Sequence, residues 1–300
     1  MKYIITGATG AIGFSLIQKL LEQNHEVTVL LNPHSSRNSH IENILPKKVI
    51  YLNFSQYASL ECKEKFDTFI HMAWQGGLDR LSYEANYLSC AYSIEAVDLA
   101  FRLGCTTFIA TGSQAECGES ENILNEKTEC NPISAFGLAK YSSMNACEQR
   151  CKALGLRFVW LRVLSVYGGY DRTSTMLYSL VNDLLKGNEF SLSSGNQYWD
   201  FLHSDDIANA LFLLSKNKQS EGLYVIGEGS CKKLKSYIAI VANVFNIDSN
   251  DILGGDNSVV TYNLRCQTTR LNNDVGWIPE ISFKDGISKF IEYVKYNECK

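Results

Sequence analysis

The chain has 300 residues, 45% of them hydrophobic and 20% charged, a balance that builds the core of one large or two modest soluble domains. A net charge of -4 and a pI near 5.8 give no basic footprint for nucleic acid or an acidic membrane, and Lys47-Lys48 and Lys232-Lys233 are too short to make one. The ten cysteines have no repeated spacing and an apolar strand follows Met1 directly, so reduced thiols in the cytoplasm are expected. Cys147 and Cys151 form an i, i+4 pair without His partners, which reads as structural, and no metal is expected. No apolar run reaches the roughly 20 residues of a membrane span.

Short apolar runs alternate with helical patterns through the first half, the mark of parallel strands joined by right-handed crossovers. Strands are predicted at Tyr3 to Ile5, Val27 to Leu31, Val49 to Leu52, Thr68 to His71, Thr107 to Ala110 and Phe158 to Arg162. Helices are predicted over Phe14 to Gln23, over Tyr83 to Leu103 and around Lys140. After Gly168 the rhythm is less regular, with helices near Met176 to Lys186 and Asp205 to Ser215 and a strand at Leu223 to Ile226. The expected fold class is α/β, a Rossmann-type doubly wound parallel sheet.

Thr6-Gly7-Ala8-Thr9-Gly10-Ala11-Ile12-Gly13 follows the first strand and opens the first helix, the context in which a glycine-rich run binds a dinucleotide. Gly7 permits the tight turn, Gly10 the approach of a pyrophosphate, and Gly13 close packing of helix on strand. The helix start, with Thr9, Ala11 and Ile12, offers N–H groups to phosphate charge. An acid closing the second strand would bind the ribose 2′-hydroxyl of NAD, yet Leu31-Asn32-Pro33 has none. Ser35, Ser36 and Arg37 come next and suit a 2′-phosphate, so NADP(H) is expected ahead of NAD(H).

Two later segments carry candidate chemistry. Thr111-Gly112-Ser113-Gln114-Ala115-Glu116-Cys117-Gly118 ends a strand, and Phe136-Gly137-Leu138-Ala139-Lys140 opens a helix after Asn131-Pro132. Together with the Gly-x-x-Gly-x-x-Gly loop they resemble the extended short-chain dehydrogenase/reductases, the NAD(P)-dependent epimerase/dehydratase family. The resemblance extends through Arg162 to Gly168, Trp199 to Ile207 and Gly276 to Pro279, and so covers essentially the whole chain. It implies a nucleotide-binding domain over 1–168 with later parts returning to it, and a smaller, discontinuous α/β sugar-nucleotide lobe mainly from 169–300.

It also implies roles. Ser113 would hydrogen-bond the reacting sugar oxygen, Lys140 would hold the nicotinamide ribose, and Asn53, Phe54, Ala73 and Trp74 would line the adenine and ribose pockets. Gln75, Gln114, Trp199 and Arg265 join Ser113 and position 136 as substrate contacts, with Arg270 a further candidate for the diphosphate. Asp205 or Asp206 would cap a helix, His203 would be a packed structural residue, and a homodimer through the helices at 83–103 and around Lys140 is expected.

Position 136 departs from the family: a Tyr there would pass a proton with Lys140 lowering its pKa, and Phe136 neither gives nor takes one. Three readings are open: a substitution introduced to trap a complex, a different donor (Ser113, a water relay or Tyr141), or a non-catalytic cofactor binder. Gln114-Ala115 lacks the Asp-Glu pair of the dehydratases and the Cys of the GDP-fucose epimerase/reductases. With His71-Met72-Ala73-Trp74-Gln75-Gly76, the pattern resembles reductases of nucleotide-linked 4-keto-6-deoxyhexoses of the CDP-abequose synthase kind. The expected activity is therefore NADPH-dependent reduction at sugar C4. A nucleotide-hexose 4-epimerase and a non-catalytic cofactor-binding protein are the alternatives.

Overall fold

A computed structural model describes residues 1–42, 44, 46–75, 81–254 and 262–298. Apart from the short β7 (Ser165–Tyr167), β8 (Tyr198–Trp199), β9 (Phe201–His203) and β11 (Lys232–Lys233), seven strands form one parallel sheet: β1 (Lys2–Thr6), β2 (Glu26–Leu31), β3 (Lys48–Tyr51), β4 (Thr68–His71), β5 (Thr107–Ser113), β6 (Arg157–Val163) and β10 (Gly222–Ile226). Their order is β10-β6-β5-β4-β1-β2-β3, so the chain winds outward from β1 in one direction and then returns to its other side at β4. That reversal opens a crevice beyond the carboxyl ends of β1 and β4, where sheets of this kind bind ligands.

Alternation along the strands divides the core into two layers. Tyr3, Ile5, Val27 and Val29 pack with Leu16, Ile17 and Leu20 of α1 (Ala11–Glu22) and with Ile207, Ala210, Leu211 and Leu214 of α6 (Ser204–Lys216), in a cluster that also holds Ile41 of α2 (Ser39–Glu42) and Leu271 of α8 (Thr269–Val275). Ile4, Leu30, Phe69, Phe108 and Trp160 face the other way, onto α3 (Tyr83–Arg102) and α4 (Ala135–Leu154). Burial on both faces is why these strands read as nearly continuous apolar runs. Cys147 and Cys151 belong to this second layer, fully buried between α4 and the sheet.

A third core builds the smaller lobe from α5 (Met176–Lys186), α7 (Leu234–Phe245) and α9 (Phe283–Glu298), with Leu180, Val181, Tyr237, Val241, Phe290 and Val294 at its centre. The chain crosses between the lobes more than once, since α6 packs on α1 and β10 extends the main sheet beside β6. The α6 cap differs from the expected one. His203 is the N-cap residue, its ring nitrogen accepting from the Asp205 N–H at 3.2 Å. Asp206 instead accepts from the Glu280 and Ile281 N–H groups at 2.9 and 3.1 Å, tying the start of α6 to the segment before α9.

Candidate active site

The glycine loop shows which of its residues are sterically required. Gly7 has φ +75°, and a Cβ there would lie 2.6 Å from the Met72 carbonyl carbon, so the turn also seats the loop against the end of β4. A Cβ on Gly13 would meet the Gly7 carbonyl oxygen at 2.2 Å, which fixes α1 against β1. Gly10 is different: its Cβ would have only the Gly7 oxygen, 3.7 Å away, as a neighbour, leaving room for a ligand where α1 begins. The loop therefore fits a pyrophosphate laid against a helix amino end.

Thr6 and His71 brace this junction from below. The Thr6 hydroxyl accepts from the Met72 and Ala73 N–H groups, at 3.2 and 3.3 Å, and lies 2.8 Å from His71 Nδ1. The Ser93 hydroxyl donates to the Ser89 carbonyl, so its oxygen is placed to accept from His71 Nε2 at 3.2 Å, and a neutral imidazole satisfies both contacts. Burial, aided by Lys140, drives the His71 pKa down to about 3.

Above the sheet lies a cleft of about 310 Å³. Among the sequence candidates it brings together Gly7, Thr9, Gly10, Asn32, Ser35, Arg37, Phe54, Ala73, Trp74 and Gln75. Ala11, Ile12 and Gly13 stand behind it in the first turn of α1, Ser36 and Asn53 are outside its lining, and Gly76 lies beyond the described residues. Arg172, Asn38 and Tyr57 also line it and were not singled out from the sequence. Arg172 arrives from the smaller lobe, so only tertiary folding places it here.

A second cluster is assembled at the end of β5 and the start of α4. Ser113 closes β5 in a reciprocal cap, its hydroxyl accepting from the Ala115 N–H at 3.2 Å while the Glu116 carboxylate accepts from the Ser113 N–H at 2.7 Å. Gly137 lets α4 rest on this turn, since a Cβ there would be 2.2 Å from the Ala115 carbonyl oxygen. Phe136 and Lys140, four apart, share one helical face. Gln114 opens the same turn.

Trp74 is the wall between cleft and cluster. Its indole N–H donates to Asn86 at 2.9 Å, its ring caps the Lys140 ammonium at 3.9 Å, and the Phe136 ring meets it edge-on at 6.0 Å. Lys140 is buried and donates to the Thr111 carbonyl at 2.9 Å. Beneath the turn, Glu116 and Arg162 form a fully buried ion pair at 2.8 Å, with Trp160 donating to the same carboxylate.

The candidates in the smaller lobe stand apart from both. Trp199 packs near Phe201 and Tyr262, and its indole nitrogen is buried. The Arg265 guanidinium lies over Tyr198 and donates to the Glu121 carbonyl, while Arg270 donates to the Leu223 and Glu221 carbonyls. In this conformation both arginines hold the fold together.

The fold and cleft define a doubly wound dinucleotide-binding protein. Residues 3–227 match the NAD dependent epimerase/dehydratase family, and the chain belongs to it. A putative UDP-glucose 4-epimerase of Methanocaldococcus jannaschii is 24% identical over 98% of each chain. The dTDP-6-deoxy-L-talose 4-dehydrogenase (NAD(+)) of Aggregatibacter actinomycetemcomitans is 26% identical over 79% of this chain and 88% of its own. Among solved structures, UDP-glucuronic acid 4-epimerase from Bacillus cereus, in complex with UDP-glucuronic acid and NAD, superposes with a TM-score of 0.86. It is 19% identical and covers 99% of this chain and 100% of its own. A tyrosine-to-phenylalanine mutant of that enzyme, in complex with UDP-4-deoxy-4-fluoro-glucuronic acid and NAD, gives 0.87.

These findings overturn the expectation of NADP(H). The family is NAD dependent, and the Bacillus cereus complexes hold NAD, as does WbmG from Bordetella bronchiseptica. The geometry supplies the physical reason. The Arg37 guanidinium donates to the Tyr170 carbonyl of the smaller lobe, and the Ser35 hydroxyl accepts from the Arg37 N–H at 3.3 Å. Groups that suited a 2′-phosphate in the sequence are thus holding a turn and an interlobe contact.

Proposed function

We propose that this chain is an NAD-dependent sugar-nucleotide 4-epimerase in its architecture, with a catalytic site whose proton acceptor is missing. One observation carries the reading: the Ser113, Phe136 and Lys140 cluster is assembled against the wall of a dinucleotide cleft in a chain alike over nearly its full length to 4-epimerases. The open side of Gly10, the amino end of α1 and the neutral Asn32 are the groups to hold pyrophosphate and ribose, with Phe54 beside the adenine. NAD, when bound, supplies a hydride acceptor that returns what it takes.

The chain's own residues do the rest. Ser113 holds the sugar 4-oxygen, and Lys140 contributes a buried positive charge that favours removal of the hydroxyl proton. Phe136 fills the space of the missing phenol without its oxygen, so binding is retained while proton transfer is slowed by about 10²- to 10⁴-fold. The mutant Bacillus cereus complex supports that separation, since a Tyr-to-Phe change there accompanies bound NAD and sugar nucleotide. A UDP-hexose is the favoured substrate, on the strength of the neighbours' ligands.

Reduction of a 4-keto-6-deoxy sugar is the second reading, favoured by the likeness to the talose 4-dehydrogenase. A homodimer through α3 and α4 is part of the proposal, because Tyr83, Tyr87 and Leu138 are 79, 74 and 54% exposed on those helices. The test of the binding half is to denature the purified chain, identify the nucleotide released, and titrate UDP-glucose and UDP-glucuronic acid into the native protein by calorimetry. Retained NAD with micromolar-range sugar-nucleotide binding is expected. A chain that releases no dinucleotide and takes up none refutes the proposal.

A further inference from the structure

The two segments that carry the Ser113 turn and the entry to α4 also bring two thiols together. The Asn131 N–H donates to the Cys117 carbonyl at 3.3 Å, and a Cβ on Gly118 would lie 2.0 Å from the Asn131 carbonyl oxygen, so the backbones are in direct contact. Cys130 packs against the buried cluster that contains Cys117, and the two thiols influence each other's protonation. Below them the buried Arg162 gives Nε to Glu116 and directs Nη2 at Cys130 Sγ, 3.1 Å away. Cys117 is buried, whereas Cys130 is half-buried and within reach of a small solute.

We propose that Cys130 and Cys117 form a peroxide-reactive dithiol site, with Cys130 as the attacking sulfur and Cys117 as the resolving one. A thiolate beside a guanidinium is the environment that activates cysteine. The neighbouring Cys117 thiol, together with Arg162, brings the Cys130 thiol down to about 7 against the opposing effects of burial and Glu116. The Cys130 thiol and burial push Cys117 up, which keeps it protonated. Cys105, Cys147, Cys151 and Cys266 are all raised by burial, and Cys130 differs from the equally half-buried Cys62, Cys90 and Cys231 in the guanidinium nitrogen 3.1 Å from its sulfur.

The co-substrate is a hydroperoxide. The Cys130 thiolate bonds one peroxide oxygen as the O–O bond breaks, giving a sulfenic acid and hydroxide, which leaves as water after taking a proton. The Cys117 sulfur then attacks the Cys130 sulfur, and the S–O bond breaks with loss of a second water. Two thiols lose two electrons and two protons in total, and one hydrogen peroxide becomes two waters. The resulting disulfide would pin the Ser113 turn to the segment leading into α4.

The test treats the reduced, full-length protein with a small excess of hydrogen peroxide, alkylates the remaining thiols, and maps the peptides by mass spectrometry. Two of the ten cysteines, Cys117 and Cys130, are expected to lose alkylation first and to appear as one cross-linked peptide that dithiothreitol reverses. In Cys117→Ser, Cys130 should stop at a sulfenic acid trapped by dimedone, and in the unsubstituted chain the rate of oxidation should rise through about pH 7. Full alkylation of both cysteines after peroxide, or a first disulfide joining another pair, overturns the proposal without need of any variant.

Discussion

On the proposed reading, a single oxygen atom separates Phe136 from the tyrosine that its surroundings would serve. Lys140 is buried beside it and Ser113 caps the turn on which α4 rests, so the groups that would tune and use a phenol are in place. Two other residues bear measurable consequences. Glu116 is fully buried against Arg162, and removing it strands the guanidinium; Glu116→Ala should cost about 3–5 kcal/mol in urea denaturation. His71 stays neutral, its folded pKa of about 3 lying below the ordinary 6.5. The unfolded chain therefore takes up a proton that the folded chain refuses, and stability falls as pH drops below 6.5 toward about 3. Denaturation midpoints of the wild type should decline between neutral and mildly acidic pH, with a shallower slope in His71→Gln.

At the scale of elements, legibility followed periodicity. The inner strands of the main sheet stood out as apolar runs because both faces are buried, and the glycine loop stood out because Gly7 and Gly13 leave no space for a side chain. What the sequence hid were contacts made by residues far apart in the chain. Arg37 read as a phosphate ligand because nothing local shows that Tyr170 claims it, and Arg172 drew no attention because its place in the cleft depends on how the smaller lobe folds back. The α6 cap was misplaced for the same reason, Asp206 being taken by the amides of Glu280 and Ile281. The contact between α4 and the Ser113 turn can be tested directly. Gly137→Ala should push α4 away from the Ala115 carbonyl and lower the activity of the Phe136→Tyr background more steeply than it lowers thermal stability, read from parallel assays of both.

For the whole molecule, the doubly wound sheet sets the cleft and the smaller lobe reaches its edge, with Arg37 and Arg172 meeting the boundary from opposite sides. The proposed dimer uses the outer faces of α3 and α4, so Tyr87→Glu should shift the mass measured by light scattering from two chains toward one while leaving the far-ultraviolet circular dichroism unchanged. The most direct test of the central claim is turnover. The chain and its Phe136→Tyr variant should be incubated with UDP-hexoses without added cofactor, and epimerisation at C4 followed by NMR. The account predicts that the Tyr variant interconverts the C4 epimers about 10²- to 10⁴-fold faster than the chain with Phe136. Equal rates in the two proteins, or no epimerisation by the Tyr variant despite bound NAD and sugar nucleotide, would contradict it.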